Sequence, residues 1–133
     1  MKFSKRSLNN LSRVDANLRL VFETAIETSP YDFAITHGHR SPEQQRKLYD
    51  QGRTFPGKVV TNCDGYIKKS KHNYLPSKAV DIAIFVEGKL TWEAKYYKAV
   101  AAHISLIAYE LNVKVTWGGN WKTFKDYPHF EIE

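Results

Sequence analysis

The stretch Ala79-Val80-Asp81-Ile82-Ala83-Ile84-Phe85 decides the fold. Every side chain in it except Asp81 is apolar. A short, unbroken apolar run of this kind reads as a buried strand, and Glu87-Gly88 after it marks a hairpin turn. The exception carries the functional question. An ionised carboxylate inside such a strand is costly unless it is paired or bound to a metal. Two readings of Asp81 stand at this point: a metal ligand, or the acidic half of an ion pair with one of the 20 lysines and arginines.

Outward from this strand the elements alternate without a regular βαβ repeat. Upstream, Arg53 to Lys78 holds Pro56, Gly57, Asn62, Asp64, Gly65, Asn73 and Pro76 and reads as a long irregular loop, which in a small domain is functional or disordered. Ser41-Pro42-Glu43-Gln44 is a helix start, with a serine cap, proline at the first helical position and glutamine three residues after the cap. Gly52 is its stop. Asp32 to Thr36 reads as a strand broken by Gly38. Before it, Asp15 caps a helix whose Leu18, Val21, Phe22, Ala25 and Ile26 share one face, and Ser29-Pro30 ends it. Downstream, Trp92 to Leu111 reads as a long helix with Ala94, Tyr97, Ala101, Ile104, Ala108 and Leu111 at helical spacing. Val113 to Trp117 returns to strand, Gly118-Gly119-Asn120 breaks it, and His129 to Ile132 forms a last short strand. The fold class this predicts is α+β: a small, mostly antiparallel sheet packed against helices in one domain, with a metal site at the sheet edge.

Composition bounds the function. A chain of 133 residues with 42% hydrophobic and 26% charged residues is one globular domain and not a disordered one. A net charge of +6 draws it to polyanions: nucleic acid, an anionic membrane surface or an acidic wall polymer. The single cysteine, Cys63, excludes a disulfide within the chain. No apolar run approaches the ~20 residues needed to cross a bilayer, so no stable membrane insertion is expected. Met1-Lys2-Phe3-Ser4-Lys5-Arg6 is not followed by an apolar stretch and does not read as a signal peptide.

His72 lies in the irregular loop nine residues before Asp81, and His129 lies on the last strand with Asp126 three residues before it. Two imidazoles and one carboxylate suit zinc and leave a fourth position for water. His37 and His39 flank Gly38 beside Arg40 and either line a cleft or lie exposed; His103, on the long helix, is a packing or surface residue. Asn62 and Asp64 do nothing to lower the pKa of Cys63, so it is a poor nucleophile. There is no Walker A loop, G-x-S-x-G elbow or H-E-x-x-H motif.

Taken together, these segments resemble the zinc peptidases that cleave peptidoglycan stem peptides, a family of D-Ala-D-Ala carboxypeptidases and dipeptidases and of L-alanyl-D-glutamate endopeptidases used as phage endolysins. The family motif S-x-H-x-x-G-x-A-x-D is matched by Ser70, His72, Ala79 and Asp81, with two extra residues between His72 and Asp81 and no glycine at its usual place. Asp126-Tyr127-Pro128-His129 matches the acidic residue and last histidine ligand, and aspartate at the first position resembles the endolysin branch. Gly38-His39-Arg40-Ser41, followed by Gln44 or Gln45, is similar to the arginine-bearing segment, and Trp117-Gly118-Gly119-Asn120-Trp121 to a Trp-Gly-Gly segment of that branch. The likeness runs from about Leu11 to Glu133.

The resemblance implies a single peptidoglycan peptidase domain over residues 1–133, with Zn²⁺ held by His72, Asp81 and His129. Asp126 would be the general base. Arg40 would donate to the oxyanion or clamp a substrate carboxylate. Ser70 would support the ligand loop or touch substrate. Trp117 and Trp121 would wall the cleft or belong to the core, and Glu131 would orient a ligand or pair with a lysine. The expected reaction is hydrolysis of the L-Ala-D-Glu bond in host wall lysis, with D-Ala-D-Ala carboxypeptidase the alternative within the family. The expected enzyme is a monomer made in the host cytoplasm and released to the wall by a separate lysis protein. A basic nucleic-acid-binding module, with Tyr66, Tyr74, Tyr96 and Tyr97 near lysines, is the rival of another class. It leaves Asp81 without a reason, so nucleic acid is not an expected partner.

Overall fold

The computed structural model describes residues 1–133. The apolar run forms the central strand β2 (Ala79–Val86). On one side β2 pairs antiparallel with β1 (Asp32–His37). On the other it pairs with β5 (His129–Glu131) along its first half and β3 (Lys89–Thr91) along its second. β4 (Thr116–Trp117) adds to β5, giving the order β1-β2-β5-β4 with β3 beside β2. The β2–β3 hairpin turns through Glu87 and Gly88, both at positive φ (52° and 77°), as a two-residue hairpin loop requires.

Alternation along β2 separates two faces. Val80, Ile82 and Ile84 are fully buried against α2 (Ala16–Thr28) and α4 (Ala94–Glu110), in one core with Phe33, Ile35 and Phe130. Phe22 of α2 anchors this packing, edge-on to Phe33 and Phe130 at 6.3 and 5.6 Å. Asp15 caps α2 through Asn17 and Leu18 N–H groups. His103 ties the two helices together, its Nε2 lying 3.0 Å from the Ala25 carbonyl. The opposite face of β2 carries Asp81.

α3 (Pro42–Asp50) begins with the capping box expected at Ser41 and Gln44. α1 (Lys5–Leu11) is not foreseen from sequence: its seven residues bury only Ser7 and Leu11 and so show no clear periodicity. Its role is to close the open side of β1: Ser7 Oγ accepts from Ile35 N–H at 3.0 Å, and Asn10 Nδ2 donates to the Ile35 carbonyl at 2.7 Å. The strand expected over Val113 to Trp117 shrinks to Thr116–Trp117. Asn112 at φ 58° returns Val113 N–H to the Ala108 carbonyl to terminate α4, and β5 offers only Phe130 and Glu131 as partners. α4 starts at Ala94, because Glu93 N–H is taken by the Thr91 hydroxyl and Trp92 turns back to stack on Tyr97.

Candidate metal centre and its cleft

Strand register places Asp81 between His37 on β1 and His129 on β5. A bulge between Ile35 and His37 re-aims His37, so that its Nδ1 lies 3.8 Å from Asp81 Oδ2. His72 reaches the same carboxylate from a single 3₁₀ turn, Lys71–Asn73. That turn is fixed by its own ends: Ser70 Oγ accepts from His72 N–H at 3.2 Å, and Asn73 Oδ1 accepts from Ser70 N–H at 2.8 Å. Asn73 also donates to the Arg40 carbonyl at 2.8 Å, while Arg40 N–H donates to the His72 carbonyl at 2.8 Å. The arginine segment and the histidine turn are thus bound into one unit.

His72 Nε2 and His129 Nδ1 lie 3.2 and 3.0 Å from Asp81 Oδ1, and the three ligand atoms fall within 4.8 Å of one another. The far nitrogen of each ring has its own acceptor. His72 Nδ1 sits 2.7 Å from the Gly38 carbonyl, and His129 Nε2 sits 2.7 Å from Glu131 Oε1. With their protons on those nitrogens, both rings aim a lone pair at the carboxylate. In that protonation state three acceptors converge on one point, which a cation between them would satisfy. Two imidazole nitrogens and a carboxylate oxygen are a zinc donor set, so the residues fit the metal. Both readings of Asp81 have a counterpart here: Oδ1 faces the two histidines, and Oδ2 pairs with Arg40 at 3.4 Å.

Burial pushes Asp81 towards its neutral form, yet His72 and His129 outweigh it and hold the carboxyl well below the usual range. Burial likewise lowers the pKa of His129, but hydrogen bonds to Asp81 and Glu131 raise it to about 9. A metal bound at this point would have to displace a proton from His129.

The centre opens into a cleft of about 490 Å³ that contains Arg40, Ser70, Trp121 and Asp126 beside the three ligands. Asp126 owes its place to the Trp-Gly-Gly segment. Its N–H donates to the Gly118 carbonyl at 3.1 Å, and a Cβ on residue 118 would stand 2.3 Å from the Asp126 carbonyl oxygen, so only glycine fits. Burial first, then the charge of Asp81, raises the Asp126 pKa. Arg40 is buried and donates to Gln45 Oε1 at 2.8 Å and Asp81 Oδ2 at 3.4 Å. Trp121 packs on the His129 ring at 5.2 Å. Trp117 does not line the cleft: its indole N–H donates to the Tyr127 carbonyl at 2.7 Å and its ring stacks on Phe130.

Sequence reasoning passed over Asn73, left Gln45 as one of two options and left His37 open. Gln45 is fully buried; besides accepting from Arg40, it donates to the Cys63 carbonyl at 3.0 Å and to Thr61 Oγ1 at 3.3 Å, anchoring the irregular loop. A buried glutamine inside a polar helix has no apolar periodicity to betray it. Cys63 lies on the cleft wall through this anchor.

The model of the phage L-alanyl-D-glutamate peptidase family matches residues 1–133, and the chain belongs to that family. Two relatives and one solved structure illustrate the likeness. The peptidoglycan L-alanyl-D-glutamate endopeptidase CwlK of Bacillus subtilis (strain 168) is 37% identical over 105 residues, which is 76% of this chain and 60% of CwlK. The chain thus spans less than two thirds of that protein. The L-alanyl-D-glutamate peptidase of Escherichia phage T5 is 31% identical over 133 residues, covering 99% of this chain and 89% of that protein. The crystal structure of the Serratia marcescens L-Ala D-Glu endopeptidase ChiX superposes with a TM-score of 0.80 at 32% identity, covering 100% of this chain and 90% of that one.

Proposed function

We propose that this protein is a zinc-dependent endopeptidase that hydrolyses the L-Ala-D-Glu bond of peptidoglycan stem peptides. One observation carries the reading: two histidines and an ionised aspartate converge on one point, beside Asp126 and Arg40, in a chain of the L-alanyl-D-glutamate peptidase family. When bound, zinc supplies Lewis-acid polarisation of the scissile carbonyl and lowers the pKa of a coordinated water. His72, Asp81 and His129 hold it, and Glu131 keeps His129 in the ligating tautomer. Asp126, in the same cleft as the three ligands, takes the proton from the attacking water and hands it to the leaving amine of D-Glu. Arg40, steadied by Gln45, faces the carbonyl oxygen as negative charge develops there. Ser70 acts by shaping the His72 turn, and Trp121 walls the His129 side.

In the same reading the protein is made in the host cytoplasm, works as a monomer and reaches the wall through a separate lysis protein. No helix is long and apolar enough to cross a membrane. Digestion of purified sacculi followed by mass spectrometry tests the bond: new amino-terminal D-Glu is expected. Loss of terminal D-Ala alone would instead make the protein a carboxypeptidase. Chelation should abolish lysis and zinc should restore it; indifference to chelator would remove the metal from the mechanism.

A further inference from the structure

Beside the His72 turn, three lysines gather on one ring. The ammonium groups of Lys69, Lys71 and Lys78 lie 5.7, 5.9 and 4.8 Å from the centre of the Tyr74 ring. No carboxylate neutralises any of them; the one lysine in an ion pair is Lys95, with Glu93. Like charges crowded about one aromatic ring repel one another, and an anion placed among them would relieve that repulsion. Lys69 and Lys71 also line the cleft, where the guanidinium of Arg40 is held beside the metal ligands by Gln45 and Asp81 and is assigned to the scissile carbonyl oxygen. The free positive charge of the cleft therefore sits on the His72 side, whereas the His129 side is aromatic, with Trp121 packed on the imidazole.

From this asymmetry we infer that Lys69 and Lys71, backed by Lys78 and Tyr74, form an anion subsite that takes the free carboxylate of the residue on the amine side of the scissile bond. The inference rests on the proposed L-Ala-D-Glu reaction. D-Glutamate has two carboxyl groups and spends only one on continuing the peptide, so the other remains ionised beside the bond to be cut. A charge-assisted contact to that group distinguishes an acidic stem peptide from one whose carboxylate has been converted to a carboxamide. It also fixes the direction of the substrate: the acidic half over the His72 side, and the L-Ala and its sugar attachment towards Trp121. The lysines act as specificity residues, since the reacting atoms lie with the metal ligands and Asp126.

The test compares two stem peptides that differ only in carboxylate against carboxamide at this position, using the zinc-loaded protein. The wild type should favour the carboxylate by about tenfold in kcat/KM, through KM, with the preference shrinking as salt rises. Lys69→Gln with Lys71→Gln should cleave both peptides equally, and Lys69→Arg with Lys71→Arg should restore the preference. A preference that survives the glutamine pair, or none in the wild type, overturns the subsite. Binding of γ-D-glutamyl-lysine and its D-isoglutaminyl counterpart, followed by calorimetry, separates this from the reaction itself. A tighter Kd for the carboxylate, lost in the glutamine pair, supports the subsite even if neither peptide is cut. Equal Kd values overturn it even if both are.

Discussion

The two faces of β2 obey different rules. On one, Val80, Ile82 and Ile84 meet only apolar neighbours from α2, α4 and β1, and any set of side chains of similar volume would hold the sheet there. On the other, Asp81 meets His37, His72, His129 and Arg40, and every one of those contacts depends on chemical identity and on which nitrogen bears a proton. Residues 81 and 82 are neighbours in sequence yet belong to separate problems, stability and chemistry. Substitutions can therefore attack each side alone.

The largest effect is expected from Asp81→Ala. It should abolish zinc binding and lysis together, and both this variant and the chelated wild type should still melt cooperatively. A zinc stoichiometry near one in this variant would show that the metal does not depend on the carboxylate. Asp126→Ala should retain zinc but lose activity by about 10²–10⁴-fold, the usual worth of a positioned acid–base group; turnover on sacculi together with metal analysis checks it. Ile82→Ala, on the other face, should cost about 2–5 kcal/mol of stability through the cavity it leaves. At a temperature where that variant remains folded its kcat should match the wild type, and a fall in kcat would mean the two faces are coupled. The smallest effect should come from Glu131→Ala. Freeing His129 Nε2 should weaken zinc by about 10–100-fold, read by competition with a chelator.

The same division governs what the sequence made legible. β2, α2 and α4 are legible because burial against apolar partners writes a pattern into the chain, and α3 because its capping box and glycine stop mark its ends. Asp81 was visible as a break in that pattern, and the family resemblance supplied His72, His129 and Asp126 as its companions. What escaped is held by polar contacts without a period: α1, which works through Ser7 and Asn10, and Gln45, which joins Arg40 to the loop. Trp117 and Trp121, four residues apart in one motif, divide between core and cleft, and composition gives no means of telling which is which. The irregular stretch upstream of β2 reads as loop in both sequence and structure. Its internal order, such as Asp64 accepting from the N–H groups of Tyr66, Ile67 and Lys68, depends on local geometry that residue type alone does not specify.

Gly38 ties distant parts of the molecule together. Its carbonyl receives the ring N–H of His72 and the hydroxyl of Ser77, and a Cβ there would lie 2.2 Å from the Asn10 carbonyl of α1. The N-terminal helix that closes the sheet thus presses on the backbone that sets the angle of a metal-binding ring. Occupancy of the centre and docking of the first eleven residues then become linked equilibria. Zinc should slow amide exchange in α1, a helix that contributes no ligand, and loosening α1 should be felt as faster metal loss.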